Sequence, residues 1–291
     1  MENLPADCAR MPTDAMENSG NRKRSAIIYC CLAFAVSWSL WVAAEKSGET
    51  PMTISVLFLH FHFSQKLVLV VLGNVAPGLI AVVMALLNEE KPFRIFLAQF
   101  CPTKSLGGLY IFAIFAPLAI NLAMFMAQEN LRMSAFANLR LGDFVRLFGV
   151  NILLAPLWEE IGWRGFLLPT LSKQTGLGRA ALIVGFIWGG WHFVLYHSVL
   201  RASLYSFLIS FGAIVAISVV LAVLYASSGN TLLLPILFHT SWNASTMWVV
   251  GVEPRYGLGP IVLQAVAVWL LAGIAWVCYR RSQDKIGLSS P

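Results

Sequence analysis

The chain has 291 residues, 58% of them hydrophobic and only 12% charged, with a mean hydropathy of +0.73. Soluble domains carry about 25% Asp, Glu, Lys and Arg, so a soluble globular fold is excluded and membrane spans are sought first. The formal net charge of +6 does not indicate nucleic acid, because the basic residues cluster at the ends and in alternate loops, where bilayer orientation accounts for them.

Residues 1–24 are polar, contain proline and have no periodic apolar face, which predicts a disordered cytosolic tail. Arg22-Lys23-Arg24 then precedes an apolar run of span length, so Ala26–Ala44 reads as a retained signal anchor rather than a cleaved signal peptide. The run Met52–Phe63 is too short to span and is expected in an interface or loop. Further spans are expected at Leu67–Leu87, Leu106–Ala127 and Phe144–Leu168, the last kinked or tilted where Pro156 enters it. Arg179–Tyr196, Leu204–Ala226, Leu232–Val250 and Pro260–Tyr279 complete the set. The fold class is therefore all-α, a polytopic bundle of about eight transmembrane helices at about 20 residues each. One membrane domain covers 25–280, its polar motifs lie in 150–245, and 281–291 form a cytosolic C-terminal tail. The five cysteines (Cys8, Cys30, Cys31, Cys101, Cys278) are scattered without a C-x-x-C pair and read as small apolar fillers.

With the N-terminus inside, the cytosolic segments hold Arg10, Arg22, Lys23, Arg24, Lys91, Arg94, Lys104, Arg164, Lys173, Arg179, Arg280, Arg281 and Lys285, thirteen of the 20 lysines and arginines. Lys46, Lys66, Arg132, Arg140, Arg146, Arg201 and Arg255 fall on or near the other side. Both termini of this multi-pass membrane protein are accordingly expected in the cytosol.

Three stretches break the apolar background. An ionised side chain near the bilayer centre costs about 2.5–3.5 kcal/mol on insertion scales, so such groups normally face the bundle interior and have partners. In LWEEIGWRG, Glu160 and Arg164 are four apart and can pair. Glu159 lies about 100° round the helix, free to work. In FIWGGWHFVLYH, His192 falls within a span, and Gly189 and Gly190 permit close helix approach. In LFHTSWNAS, His239 and Asn243 are four apart on one face. Each taken singly has a plain structural reading: an interfacial ion pair, a packed histidine, a hydrogen-bonding pair between helices. Together they supply a carboxylate, two imidazoles and an amide on three helices facing one cavity in the cytosolic half of the bilayer. A general base, a second proton-handling group and oxyanion donors are what amide hydrolysis needs.

At these residues the chain resembles the CAAX protease and bacteriocin-processing (CPBP, or Abi) family of intramembrane endopeptidases. Its motifs E-E-x-x-x-R, F-x-x-x-H and H-x-x-x-N correspond to Glu159-Glu160-Ile-Gly-Trp-Arg164, the segment ending at His192, and His239-Thr-Ser-Trp-Asn243. One position departs: Trp188 stands where the second motif has phenylalanine. The resemblance implies that Glu159 activates water with His192 assisting, that His239 and Asn243 stabilise the oxyanion, and that Glu160 and Arg164 support the helix. It leaves two forms of the chemistry open, a metal-free one and one in which Glu159, His192 and His239 hold a zinc ion. The expected partners are the bilayer and a membrane-associated peptide or protein, lipidated as prenylated C-terminal substrates are or resembling a bacteriocin. The readings from other classes are a transporter or channel using Glu159, His192 and His239 as a proton or ion relay, and a non-catalytic immunity or scaffold protein. An inverted repeat would favour the transporter; none is visible, although Pro77, Pro117, Pro156 and Pro235 could each break a helix.

Overall fold

The computed structural model describes residues 11–56, 59–87, 97–101, 107–128, 139–252 and 258–285. The first ten residues of the expected N-terminal tail, residues 286–291, and the loop positions Lys91, Arg94, Lys104, Arg132 and Arg255 lie outside them. The described chain is almost entirely helical. Helix α1 covers Met11–Ser47, α2 Gln65–Leu86, α3 Gly107–Gln128 and α4 Leu141–Leu154. Then come the seven-residue α5 (Pro156–Gly162), a π-helical turn at Trp163–Leu167, and α6 (Leu168–Thr175). Helices α7 (Leu177–Trp191), α8 (His197–Ala202), α9 (Leu204–Ser227), α10 (Leu233–Val252) and α11 (Leu258–Lys285) follow. Among the described residues, six helical stretches are long and apolar enough to cross a membrane: 20–47, 65–86, 107–127, 141–175, 204–227 and 258–285. The protein is an all-α integral membrane protein.

Two expectations are revised. Helix α1 begins at Met11, so residues 11–24 are helical where a disordered tail was expected. Extending an existing helix adds one hydrogen bond per residue fixed, far easier than nucleating one, and Pro12 falls in the first turn, where its missing N–H is no loss. The run Met52–Phe63 is neither loop nor helix but an antiparallel hairpin, β1 (Pro51–Val56) with β2 (Leu59–Ser64), paired from Pro51↔Ser64 to Val56↔Leu59. Its Thr, Ile, Val and Phe content suits strands, and pairing between two six-residue strands satisfies backbone groups that no single short run could. Of the prolines that could break a helix, Pro77 and Pro117 do not. Pro77 has no N–H for the carbonyl of Gly73, and the Ser37 hydroxyl of α1 donates to that oxygen instead, at 2.8 Å.

The break does occur at Pro156. Ala155 takes φ −147°, ψ −67°, ending α4, and Pro156 opens α5 at the first helical position. Helix α9 is apolar all round, and its C-terminal part is enclosed as such a helix should be: Ala213–Ser218 and Val220–Tyr225 are buried, while Leu204, Tyr205 and Leu208 are exposed. Around it pack α7, α10 and α11, while α1, α2 and α3 close the remaining sides, α3 against α10 and α11. Helix α5 lies against α2 at van der Waals limits: a Cβ on Gly78 would meet the Trp158 carbonyl oxygen at 2.5 Å, and one on Gly162 would meet the backbone of Pro77 at 2.9 Å. These glycines let the motif-bearing turn touch α2 backbone to backbone.

Candidate active site

All three polar stretches converge. From α5 and the π turn come Glu159, Glu160 and Arg164, which are 3%, 0% and 0% exposed. Oε1 of Glu160 accepts from Arg164 Nη1 at 2.9 Å, the i,i+4 pair expected from spacing. The same oxygen lies 2.8 Å from Nδ1 of His239 on α10. Glu160 is therefore more than a partner for arginine, since it also orients the third motif. With Nδ1–H given to the carboxylate, the Nε2 edge of His239 is left for a ligand.

Glu159 is held from α7. Its Oε2 accepts a 2.7 Å hydrogen bond from the Trp188 indole nitrogen, and Oε1 has no partner among the described residues. His192 caps the C-terminus of α7 and is half-buried. Its Nδ1 is 2.8 Å from the Trp188 carbonyl oxygen. A carbonyl can only accept, so Nδ1 carries the proton and, in the neutral ring, Nε2 presents a lone pair. The ring stacks on Tyr196 at 5.3 Å and meets Trp191 edge-on at 4.9 Å, which fixes its plane. Glu159 and His192 are thus linked through Trp188, without a direct hydrogen bond to each other.

Trp188 is the residue that sequence reasoning undervalued. Its ring lies under the Arg164 guanidinium, 4.6 Å from ring centroid to Cζ, and meets His239 edge-on at 5.1 Å. The signal was present in the sequence, since an indole carries a hydrogen-bond donor that phenylalanine lacks. Tyr29 of α1 was also missed. It is fully buried, packs on Trp163 and Phe166, and its hydroxyl reaches α5 at Gly162. Asn243 lies one turn beyond His239, half-buried, and its amide makes no hydrogen bond among the described residues, so its donors are available to a ligand.

The opposite face of α10 anchors the helix. Ser245 receives a hydrogen bond from Asn121 of α3 at 2.9 Å, and the Ser241 hydroxyl donates to the Ile114 carbonyl. Asn121 Oδ1 also accepts from Gln264 of α11 at 2.7 Å and from Thr246 at 3.3 Å. Among the described residues, no group of three or more His, Cys, Asp or Glu side chains is placed to hold a metal ion. Glu159 Oε2 and both Nδ1 atoms are engaged by protein partners, which leaves Glu159 Oε1 and the two Nε2 atoms as the open ligand positions.

Residues 141–245 match the family described as Type II CAAX prenyl endopeptidase Rce1-like. A protein named CAAX prenyl protease 2, from Methanococcus maripaludis, is 28% identical over 104 residues, 33% of this chain. The match spans 38% of that relative's length. The matched segment, residues 141–245, runs from the start of α4 to Ser245 and holds every residue of the three motifs; over that segment the chain is similar to the Rce1-like endopeptidases.

Proposed function

We propose that the chain is an intramembrane endopeptidase of the CAAX type, using Glu159 to activate water against a peptide bond of a membrane-associated substrate. The observation that carries this reading is a buried Glu159 with one oxygen held by Trp188 and the other engaged by no described residue, beside two oriented imidazoles. Oε1 of Glu159 takes a proton from water, and the hydroxide adds to the scissile carbonyl. The oxyanion that forms receives hydrogen bonds from Asn243 Nδ2–H and, in the protonated ring, from His239 Nε2–H. Collapse of the tetrahedral adduct breaks the C–N bond. The proton taken up by Glu159 passes to the leaving nitrogen, with His192 Nε2 as the relay. The products are a carboxylic acid and an amine, which exchange a proton to leave as carboxylate and ammonium, and Glu159 is returned ionised.

The relative's name, CAAX prenyl protease 2, supports a prenylated C-terminal peptide as the substrate class. The site faces a substrate held at the cytosolic leaflet, with both termini of the chain in the cytosol. The purified protein in nanodiscs should cleave an internally quenched farnesylated Cys-aliphatic-aliphatic-X peptide. Glu159→Gln should lower the rate by roughly 10²–10⁴-fold with unchanged folded yield. Cleavage retained by Glu159→Gln would end the glutamate-base reading. No cleavage by wild type of either the farnesylated or the unlipidated peptide would end the protease reading.

A further inference from the structure

We propose that Trp188 is a positioning residue for Glu159: its indole N–H fixes Oε2, leaving Oε1 as the oxygen that receives the proton from water. This rests on the reading of Glu159 as the base and adds to it a residue and an oxygen.

The carboxylate of a glutamate turns about a broad, roughly two-fold terminal torsion, so its two oxygens interchange readily unless one is held. Here one is held, at 2.7 Å, by a group that can only donate. Burial alone does not produce such a contact. Trp163 and Trp191 are also fully buried in the same core, and their indole nitrogens make no hydrogen bond among the described residues. The Trp188 ring is itself confined on several sides. Arg164 covers its face, His239 and His192 meet it edge-on at 5.1 and 5.5 Å, and its carbonyl holds His192. Swinging the indole off Glu159 would disturb all three neighbours together. A phenylalanine at this position would keep the ring contacts and lose the donor, and Glu159 would then present either oxygen.

The geometric consequence falls on the chemical step and not on substrate binding, since Trp188 touches the base rather than the scissile peptide. Small displacements of a reacting group can lower rates by roughly 10²-fold. Trp188→Phe should therefore reduce kcat by roughly 10–100-fold with KM nearly unchanged.

Two measurements on the full chain in nanodiscs decide the matter. In the first, the tryptophans carry ¹⁵N in the indole ring, and the signal missing from Trp188→Phe identifies Trp188 among the ten tryptophans. That signal should shift in Glu159→Gln; if it stays where it was, the contact does not exist and the proposal is overturned. In the second, Trp188 is replaced by benzothienylalanine, which keeps the bicyclic shape but has sulfur in place of the N–H. Cleavage of the farnesylated peptide should then fall in kcat as in Trp188→Phe. Wild-type kcat with the sulfur analogue, in a protein that still depends on Glu159, overturns the proposal and leaves the base reading standing. Full activity of Glu159→Gln removes the base reading, and with it the reaction that Trp188 would serve.

Discussion

Nδ1 of His239 lies 2.8 Å from Oε1 of Glu160, joining the first and third motifs across 79 residues of sequence, and Arg164 Nη1 shares that oxygen at 2.9 Å. All three side chains are buried. Removing the anion would leave the guanidinium without its hydrogen-bonded carboxylate, and breaking a buried pair in this way costs about 3–5 kcal/mol. Glu160→Ala should therefore lose folded protein and lower Tm in detergent, more than Glu160→Gln, which keeps an acceptor for both neighbours. Equal loss of Tm in the two variants would show that the charge, and not the hydrogen bonding, is the essential feature.

Asn243 should behave differently from Glu160, because its amide is engaged by no described residue. Asn243→Ala is expected to leave Tm within a degree or two while lowering kcat by roughly 10²–10³-fold, the usual loss for one oxyanion donor. His239→Ala should lose both stability and activity, since it also releases Glu160. Parallel melting curves and steady-state kinetics separate the two effects.

The contact between α2 and α5 leaves no room for a side chain. Gly78→Ala would drive a methyl group into the Trp158 carbonyl at 2.5 Å. Neither backbone can yield without moving Glu159, so about 1–3 kcal/mol of destabilisation is expected, together with loss of activity. Gly273 of α11 is the control, with nothing among the described residues within 4 Å of its added Cβ. Gly273→Ala should be neutral or add about 0.5–1 kcal/mol through the backbone.

Asn121 ties α3 to α10 and α11 through Ser245, Thr246 and Gln264. Asn121→Leu should cost about 0.6–1.7 kcal/mol, the range found for hydrogen bonds between helices in membranes. As Ser241 and Ser245 face away from His239, activity should fall only through misplacement of α10. A second change that restores Tm without restoring rate would show that register, and not stability, is what the network provides.

Outside the spans, Ser64 and Lys66 hold the Glu49 carboxyl below the usual glutamate range, the serine hydrogen bond contributing most. A carboxyl depressed on folding stabilises the protein above its unfolded pKa and loses that contribution as pH falls through its folded value. Lys66→Gln should thus differ slightly from wild type at neutral pH, and the two melting temperatures should converge in acid. Glu49 is exposed, and added salt should shrink the neutral-pH difference as well.

The spans were legible because an apolar run of sufficient length has few alternatives in lipid; six of the eight expected are long and apolar enough to cross, while Leu177–Trp191 stops at 15 residues, short of the span expected at Arg179–Tyr196. The pairing of Glu160 with Arg164 was legible for the same local reason, an i,i+4 spacing. Beyond one helix the sequence carried less. The hairpin at 51–64 depends on two short runs finding each other, and each alone gives no decision between loop and strand. The second role of Glu160 depends on where α10 comes to rest. The Trp188 contact depends on a rotamer; composition shows only an aromatic residue, and not that its N–H faces a carboxylate.

Helix spans adapt to bilayers of different thickness by tilting, at modest cost per ångström. In the stretch 141–175 such tilts need not reach the glutamates, because the break at Ala155 lies before them and the π turn at Trp163–Leu167 after them. Between those two joints, α5 is seated on Pro77 and Gly78 of α2 and follows that helix instead of its own neighbours in sequence. Cleavage rates should accordingly change little across nanodiscs of differing acyl-chain length, while the outer ends of α4 and α6 reorient to meet each membrane.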